Sequence, residues 1–239
     1  MSGKAARAKR KSAPSSKTNA RVQMPQQRGT ERSRLPRLAL TSTAIAAAAI
    51  VGLYFLSSFH HSKSGAANTG AYPYAVGSPR VGAPAPEVKL PATAGGGFDL
   101  ASYRGKKPVL LYFQEGLTCQ PCWDQISAIQ KELPKFRALG IGPIVSITTD
   151  PIREITQKAR DQKLTIPVLS DQGGRVSDSY SARDYGMMGH DRDGHSFVLV
   201  GSNGKILWRA DYGGAPKYTM FVPVDVLLAQ LKQGTGGKV

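Results

Sequence analysis

The chain has 239 residues, with 32 Lys and Arg against 16 Asp and Glu, for a formal net charge of +16. Hydrophobic residues at 41% exclude a wholly disordered chain, and 26 Gly with 16 Pro but no three-residue period exclude collagen. Two cysteines support neither a disulfide-rich scaffold nor a four-cysteine zinc site, so the charge is the first feature to place.

Residues 1–37 hold eleven Lys and Arg and one acid, Glu31. The 22 residues Leu38 to Phe59 carry no ionisable side chain apart from the phenol of Tyr54. As a helix they would span roughly 33 Å, against a hydrocarbon core of about 30 Å. One central charge would cost about 2.5–3.5 kcal/mol there, so the absence of Lys, Arg, Asp and Glu matters more than the Ala-rich average. The positive-inside rule then makes 1–37 a cytoplasmic tail, 38–59 a transmembrane signal anchor, and the rest extracytoplasmic. A cleaved signal peptide is the competing reading, although its apolar stretch is usually only about 7–15 residues. On this reading the basic tail meets anionic membrane lipids and not nucleic acid.

Residues 60–81, rich in Gly, Ala, Ser and Pro, predict a flexible linker. A folded domain is expected over 82–239. Within it PVLLYF (108–113) and GPIVSITT (142–149) predict strands buried on both faces. Between them Ile126, Ile129, Leu133 and Phe136 fall at helical spacing, with Pro134 set to kink or end the helix. Asp150-Pro151 predicts an N-cap followed by a proline in the first turn of a helix reaching about Gln162. Further on come a strand at 167–170, a short helix at 175–180 and a hairpin pairing 196–200 with 205–209. A final amphipathic helix is expected over 222–233. This order predicts an α/β sandwich with a mixed sheet.

Cys119-Gln-Pro-Cys122 falls between a buried strand and a helix start. Free N–H groups and the helix dipole there favour a thiolate on the first cysteine, and the second lies one turn on, within reach of a mixed disulfide. Zinc uses the same spacing, but this chain has no second cysteine pair. The spacing therefore predicts a redox pair.

At this point the chain resembles the thioredoxin-like superfamily, and within it the redoxin (AhpC/TSA-type) group with its membrane-anchored thiol–disulfide oxidoreductases. The carriers are VGAPAPEVKLP, LASYRGKKPVLLYF, the CxPC pair, VSITTDP and FVLVGSNGKILWR, over roughly residues 82–233. The resemblance implies a thioredoxin-like three-layer sandwich with a mixed β-sheet, preceded here by one N-terminal transmembrane helix. It also implies that Cys119 attacks and Cys122 resolves, that no cofactor is needed, and that the partners are protein thiols or disulfides and an upstream redox protein. Two departures stand out. Thr118 occupies the place of the usual tryptophan, with Trp123 following the second cysteine instead. The stretch 193–197, where related proteins carry a cis-proline facing the disulfide, has none.

Two alternatives come from the same fold. Sco-like copper chaperones are similar in using two cysteines and a distant histidine, which would make Cys119, Cys122 and His195 a copper set, although their cysteines are spaced CxxxC. His190 and His195 also fit as ordinary residues of a Gly/Asp-rich loop. A peroxiredoxin-like peroxide reductase would need a Thr three residues before its reactive cysteine, and Gly116 stands there. Glu115 is a candidate proton relay for Cys122 or else a solvated carboxylate. The stretches 209–214 and 218–223, which combine aromatic and Gly residues after the last strand, are either a docking surface or packing for the last helix.

Overall fold

The computed structural model describes residues 70–237. The basic tail, the expected membrane helix and the linker up to residue 69 lie outside the described residues. Among the described residues no helix is long and apolar enough to cross a membrane.

Strand β3 (Val109–Phe113) is buried along its whole length and forms the middle of a five-stranded sheet. Parallel to it runs β4 (Ile144–Thr148), followed by β5 (Val168–Ser170), while β6 (Ser196–Val200) and β7 (Ile206–Asp211) lie antiparallel on the other side. The order β5-β4-β3-β6-β7 is the mixed sheet the sequence predicts. A separate two-stranded ribbon is made by β1 (Lys89–Pro91) and β2 (Gly97–Asp99).

Side chains alternate across a strand, so β3 feeds two cores. Leu110 and Tyr112 face a cluster with Trp123, Ile126 and Ile129 of α1 (Gln120–Lys131), Phe136 of α2 (Leu133–Ala138), Ile155 of α3 (Ile152–Asp161), and Leu227 and Leu231 of α5 (Val224–Gly234). Val109, Leu111 and Phe113 face a second cluster with Val88, Phe98, Leu100, Tyr180, and Val176 of α4 (Arg175–Ser179). A sheet with an apolar layer on each face is the expected sandwich.

Pro134 separates α1 from α2, as its missing N–H and its clash with the carbonyl of residue 130 require. Two local expectations are corrected. Asp150 is no helix cap: the N-cap of α3 is Pro151, without a side-chain bond, and the Asp150 carboxylate turns toward the cysteine loop. The linker expected to run flexibly to residue 81 is in place from Tyr72 onward. Tyr74 packs edge-on against Trp208 and Tyr212, and Ala75 bridges to Asp211 in both directions. The Gly77 N–H donates to Asp211 Oδ2, and the buried Arg209 guanidinium, ion-paired with Asp211, donates to the Ser78 carbonyl. Two tyrosines and a buried ion pair outweigh a tether-like composition.

Candidate active site

Five residues, Gln114 to Thr118, lead from β3 to Cys119, and hydrogen bonds fix their path. Gly116 sits at φ +89, and a Cβ there would collide with the Asp150 and Thr148 side chains, so only glycine fits. Its N–H donates to Gln114 Oε1 and its carbonyl accepts from the Trp123 indole at 3.0 Å. Asp150 Oδ2 accepts from the Leu117 N–H at 2.6 Å. Arg192 then spans the site from the other side, donating to Asp150 Oδ1 at 2.6 Å and to the Glu115 carbonyl at 3.2 Å.

Cys119 is the N-cap of α1 and is joined to Cys122 in a disulfide, with Cα atoms 5.3 Å apart. The Cys122 N–H points at Cys119 Sγ at 3.3 Å. A helix N–H aimed at that sulfur stabilises negative charge on it, which favours Cys119 as the thiolate once the pair is reduced. Cys119 is 6% exposed and Cys122 is 0% exposed, so both are buried in the disulfide state and the expected exposed attacking thiol is covered. Thr118 beside them is exposed.

His195 is no surface-loop residue. It opens into β6 fully buried, ringed by Tyr112, Phe197 and Tyr212. Burial lowers its pKa from 6.5 to about 3, so the ring is neutral. Its Nδ1 lies 2.9 Å from the Tyr112 hydroxyl, which in turn reaches the Cys122 carbonyl at 3.4 Å. The Nδ1–H tautomer satisfies that chain, because it lets the phenol donate onward to Cys122. The other tautomer would strand a buried N–H at Nε2. Burial, reinforced by the Glu115 charge, raises the Tyr112 pKa, so the phenol keeps its proton.

This arrangement bears on the other expectations. The copper set of Cys119, Cys122 and His195 is not assembled in the oxidised protein: the sulfurs bond each other and Nδ1 is engaged by Tyr112. Among the described residues no group of three or more His, Cys, Asp or Glu is arranged around a metal position. Glu115 is buried, not solvated, and its Oε1 accepts from the Met187 and Met188 N–H groups at 2.5 and 3.3 Å. It fastens that loop, and no hydrogen bond joins it to either cysteine among the described residues. Gly116, three residues before Cys119, offers no hydroxyl to a peroxide.

Sequence reasoning missed two participants. Arg192 carried no local signal. Met220, within the segment left open as docking or packing, joins Cys119 and Cys122 in one buried apolar cluster.

Residues 81–209 match the AhpC/TSA family. The chain belongs to that family. Two Mycobacterium tuberculosis proteins whose names place them among the peroxiredoxins, MT2597 of strain CDC 1551 / Oshkosh and Rv2521 of strain H37Rv, are each 31% identical over 128 residues. That match covers 52% of this chain and 79% of each relative. Among solved structures, the peroxidoxin BcpB of M. tuberculosis is similar with a TM-score of 0.54 at 20% identity, over 64% of this chain and 96% of that one. The reduced 2-Cys peroxiredoxin of Plasmodium vivax follows with a TM-score of 0.53 at 23% identity, over 64% and 80%. At those identities the structures establish the fold, a peroxiredoxin-type thioredoxin-like one. The AhpC/TSA match together with the vicinal cysteine pair makes this chain a redoxin-type thiol oxidoreductase.

Proposed function

We propose that the protein is a membrane-anchored, extracytoplasmic thiol–disulfide oxidoreductase working through Cys119 and Cys122. The observation that carries this reading is the asymmetric disulfide at the start of α1, with the Cys119 sulfur hydrogen-bonded by a helix N–H and its residue slightly less buried than Cys122. When the pair is reduced, the Cys119 thiolate attacks a substrate disulfide, forming a mixed disulfide and releasing one substrate sulfur as thiolate. Deprotonated Cys122 then attacks Cys119 Sγ, closes the internal disulfide and releases the second substrate thiolate. Two electrons pass to the substrate, and an upstream redox partner returns them. The reverse sequence oxidises a substrate dithiol.

Alkylation of the free thiols followed by mass measurement tests this. The expected result is a reversible two-electron transition, with Cys122→Ala accumulating mixed disulfides through Cys119 and Cys119→Ala accumulating none. A chain that shows no reversible transition overturns the reading.

Anchoring is proposed from the uncharged run 38–59 and the basic flank 1–37, which would face the cytoplasm and anionic lipid. Labelling Cys119 in intact cells with a membrane-impermeant thiol reagent tests it, and labelling only after lysis would reject it.

Peroxide reduction is the second reading, favoured by the names of the M. tuberculosis relatives. It requires Cys119 to be oxidised by peroxide far faster than free cysteine, and a rate like that of free cysteine would reject it.

A further inference from the structure

Cys119 stands at a helix start between exposed neighbours, Thr118 and Gln120, yet its own exposure is 6%. The connection from β7 to α5 covers it. This segment is fastened at two points on either side of Met220. The Thr219 N–H donates to the Tyr212 carbonyl at 3.0 Å. The Val222 N–H donates at 2.7 Å to Oε1 of Gln125, a buried residue of α1 three positions beyond Cys122. Between these fasteners Met220 packs with the cysteines at 8% exposure and Phe221 is 37% exposed, and Tyr218, just before the first fastener, is 45% exposed. Tyr218 holds φ +46, a left-handed conformation that is uncommon for an aromatic residue.

Exchange has a strict geometry. An incoming thiolate must approach Cys119 Sγ from the side away from Cys122, roughly in line with the bond that breaks. Cys122, fully buried, is no target. Met220, packed in one buried cluster with both cysteines, is an unbranched, flexible side chain that covers the pair without locking it.

Resting on the thiol–disulfide exchange reading, we propose that Met220, carried on the strap 219–222, is a gate over Cys119 Sγ that discriminates against small free thiols. A polypeptide thiol opens it by engaging the exposed Tyr218 and Phe221. The step gated is the attack itself. An incoming thiolate bonds Cys119 Sγ, the Cys119–Cys122 bond breaks, and its electron pair leaves on Cys122 Sγ, which takes a proton. A second thiolate of the same reductant then releases Cys119 and completes the two-electron reduction.

The test uses the full chain in detergent, oxidised, and follows reduction by acid quench and alkylation. Dithiothreitol is the small thiol, and a peptide with two cysteines flanked by leucines is the polypeptide. Met220→Ala should speed reduction by dithiothreitol at least tenfold. Met220→Leu, nearly equal in volume, should stay within twofold of the unaltered chain. A gate alters forward and reverse rates together, so the equilibrium constant with dithiothreitol should change less than threefold in either variant. Phe221→Ala should slow the peptide at least threefold relative to dithiothreitol.

An unchanged dithiothreitol rate in Met220→Ala overturns the gate. Where that variant does not fold, Met220→Val replaces it under the same criterion. A rate rise matched by an equal shift in equilibrium also overturns it, because the side chain would then only stabilise the disulfide. An unchanged peptide-to-dithiothreitol ratio in Phe221→Ala overturns the selection by polypeptide. Failure of the exchange reading looks different: no thiol, small or large, would reduce and reoxidise the pair reversibly.

Discussion

Arg192 and Asp150 meet at 2.6 Å, and this one ion pair joins the loop after α4 to the turn after β4, whose Asp150 in turn holds the Cys119 loop through Leu117. The same carboxylate accepts from the Leu117 N–H and the Thr148 hydroxyl, so removing it strips three partners at once. Asp150→Ala is expected to destabilise the protein by about 3–5 kcal/mol, the usual cost of breaking a largely buried pair. Thermal unfolding measures the loss, and hydrogen exchange should show the Leu117 amide exposed first. Arg192→Lys, which keeps the charge but loses the planar fork, should fall between the two.

His195 makes stability depend on acid. Burial holds its native pKa near 3 against 6.5 for the ordinary ring, so below pH 6.5 the unfolded chain binds a proton that the native state does not. Its contribution is complete above pH 6.5 and is lost as the pH falls toward 3, at about 1.4 kcal/mol per pH unit. Relative to the unaltered chain, His195→Gln should remove that slope in urea unfolding measured from pH 4 to 7.

Asp193, two residues earlier and fully buried, acts in the opposite direction. Burial raises its pKa well above 3.8; Ser177 and Arg183 only partly offset this, and the Asp171 charge adds to the rise. The native state therefore holds a proton that the unfolded chain releases above about pH 4, and the Asp193 contribution falls as pH rises, again by about 1.4 kcal/mol per unit. Between pH 4 and 6.5 the two residues oppose each other. Asp193→Asn should reveal a stability that climbs with pH, and His195→Gln one that descends. Two variants with parallel curves would show that these groups titrate together.

The Tyr112 hydroxyl links His195 to the Cys122 carbonyl. Tyr112→Phe leaves the ring stack with Phe197 in place and removes only the oxygen. A loss of about 1–3 kcal/mol is expected, the cost of leaving buried polar groups unpaired. Stability at pH 7, read from urea unfolding, checks it.

The parts of this site that were legible in the sequence are those specified by neighbours in the chain. PVLLYF marked a buried strand, Pro134 a helix break, and the CxPC spacing put two sulfurs one turn apart. Asp150 was misread for a physical reason. An Asp before a proline is a good local capping signal, but the carboxylate found a charge and an N–H on other segments, and such long-range partners leave no local pattern. Tyr72 and Tyr74 were hidden by the Gly, Ala and Ser around them, because composition averages over the few residues that pack. Met220 lies about a hundred residues from the cysteines it covers. Nothing in its own neighbourhood says so.

Both flanks of the central sheet are taken. At β5, Ala92 bridges to Leu169 and Thr93 exchanges bonds with Val168. At β7, Ala75 pairs with Asp211, and Pro84 with Lys205. Among the described residues these bridges interrupt both rims, which leaves a visiting polypeptide little continuous backbone on which to lie down as a sixth strand. Recognition has to come through side chains at the loop end of the molecule, which ties affinity to sequence in the visitor rather than to its backbone. A chain shortened to begin at residue 82 would lose Ala75 and uncover the Asp211 end of the β7 rim, opening a place where a visiting backbone could pair.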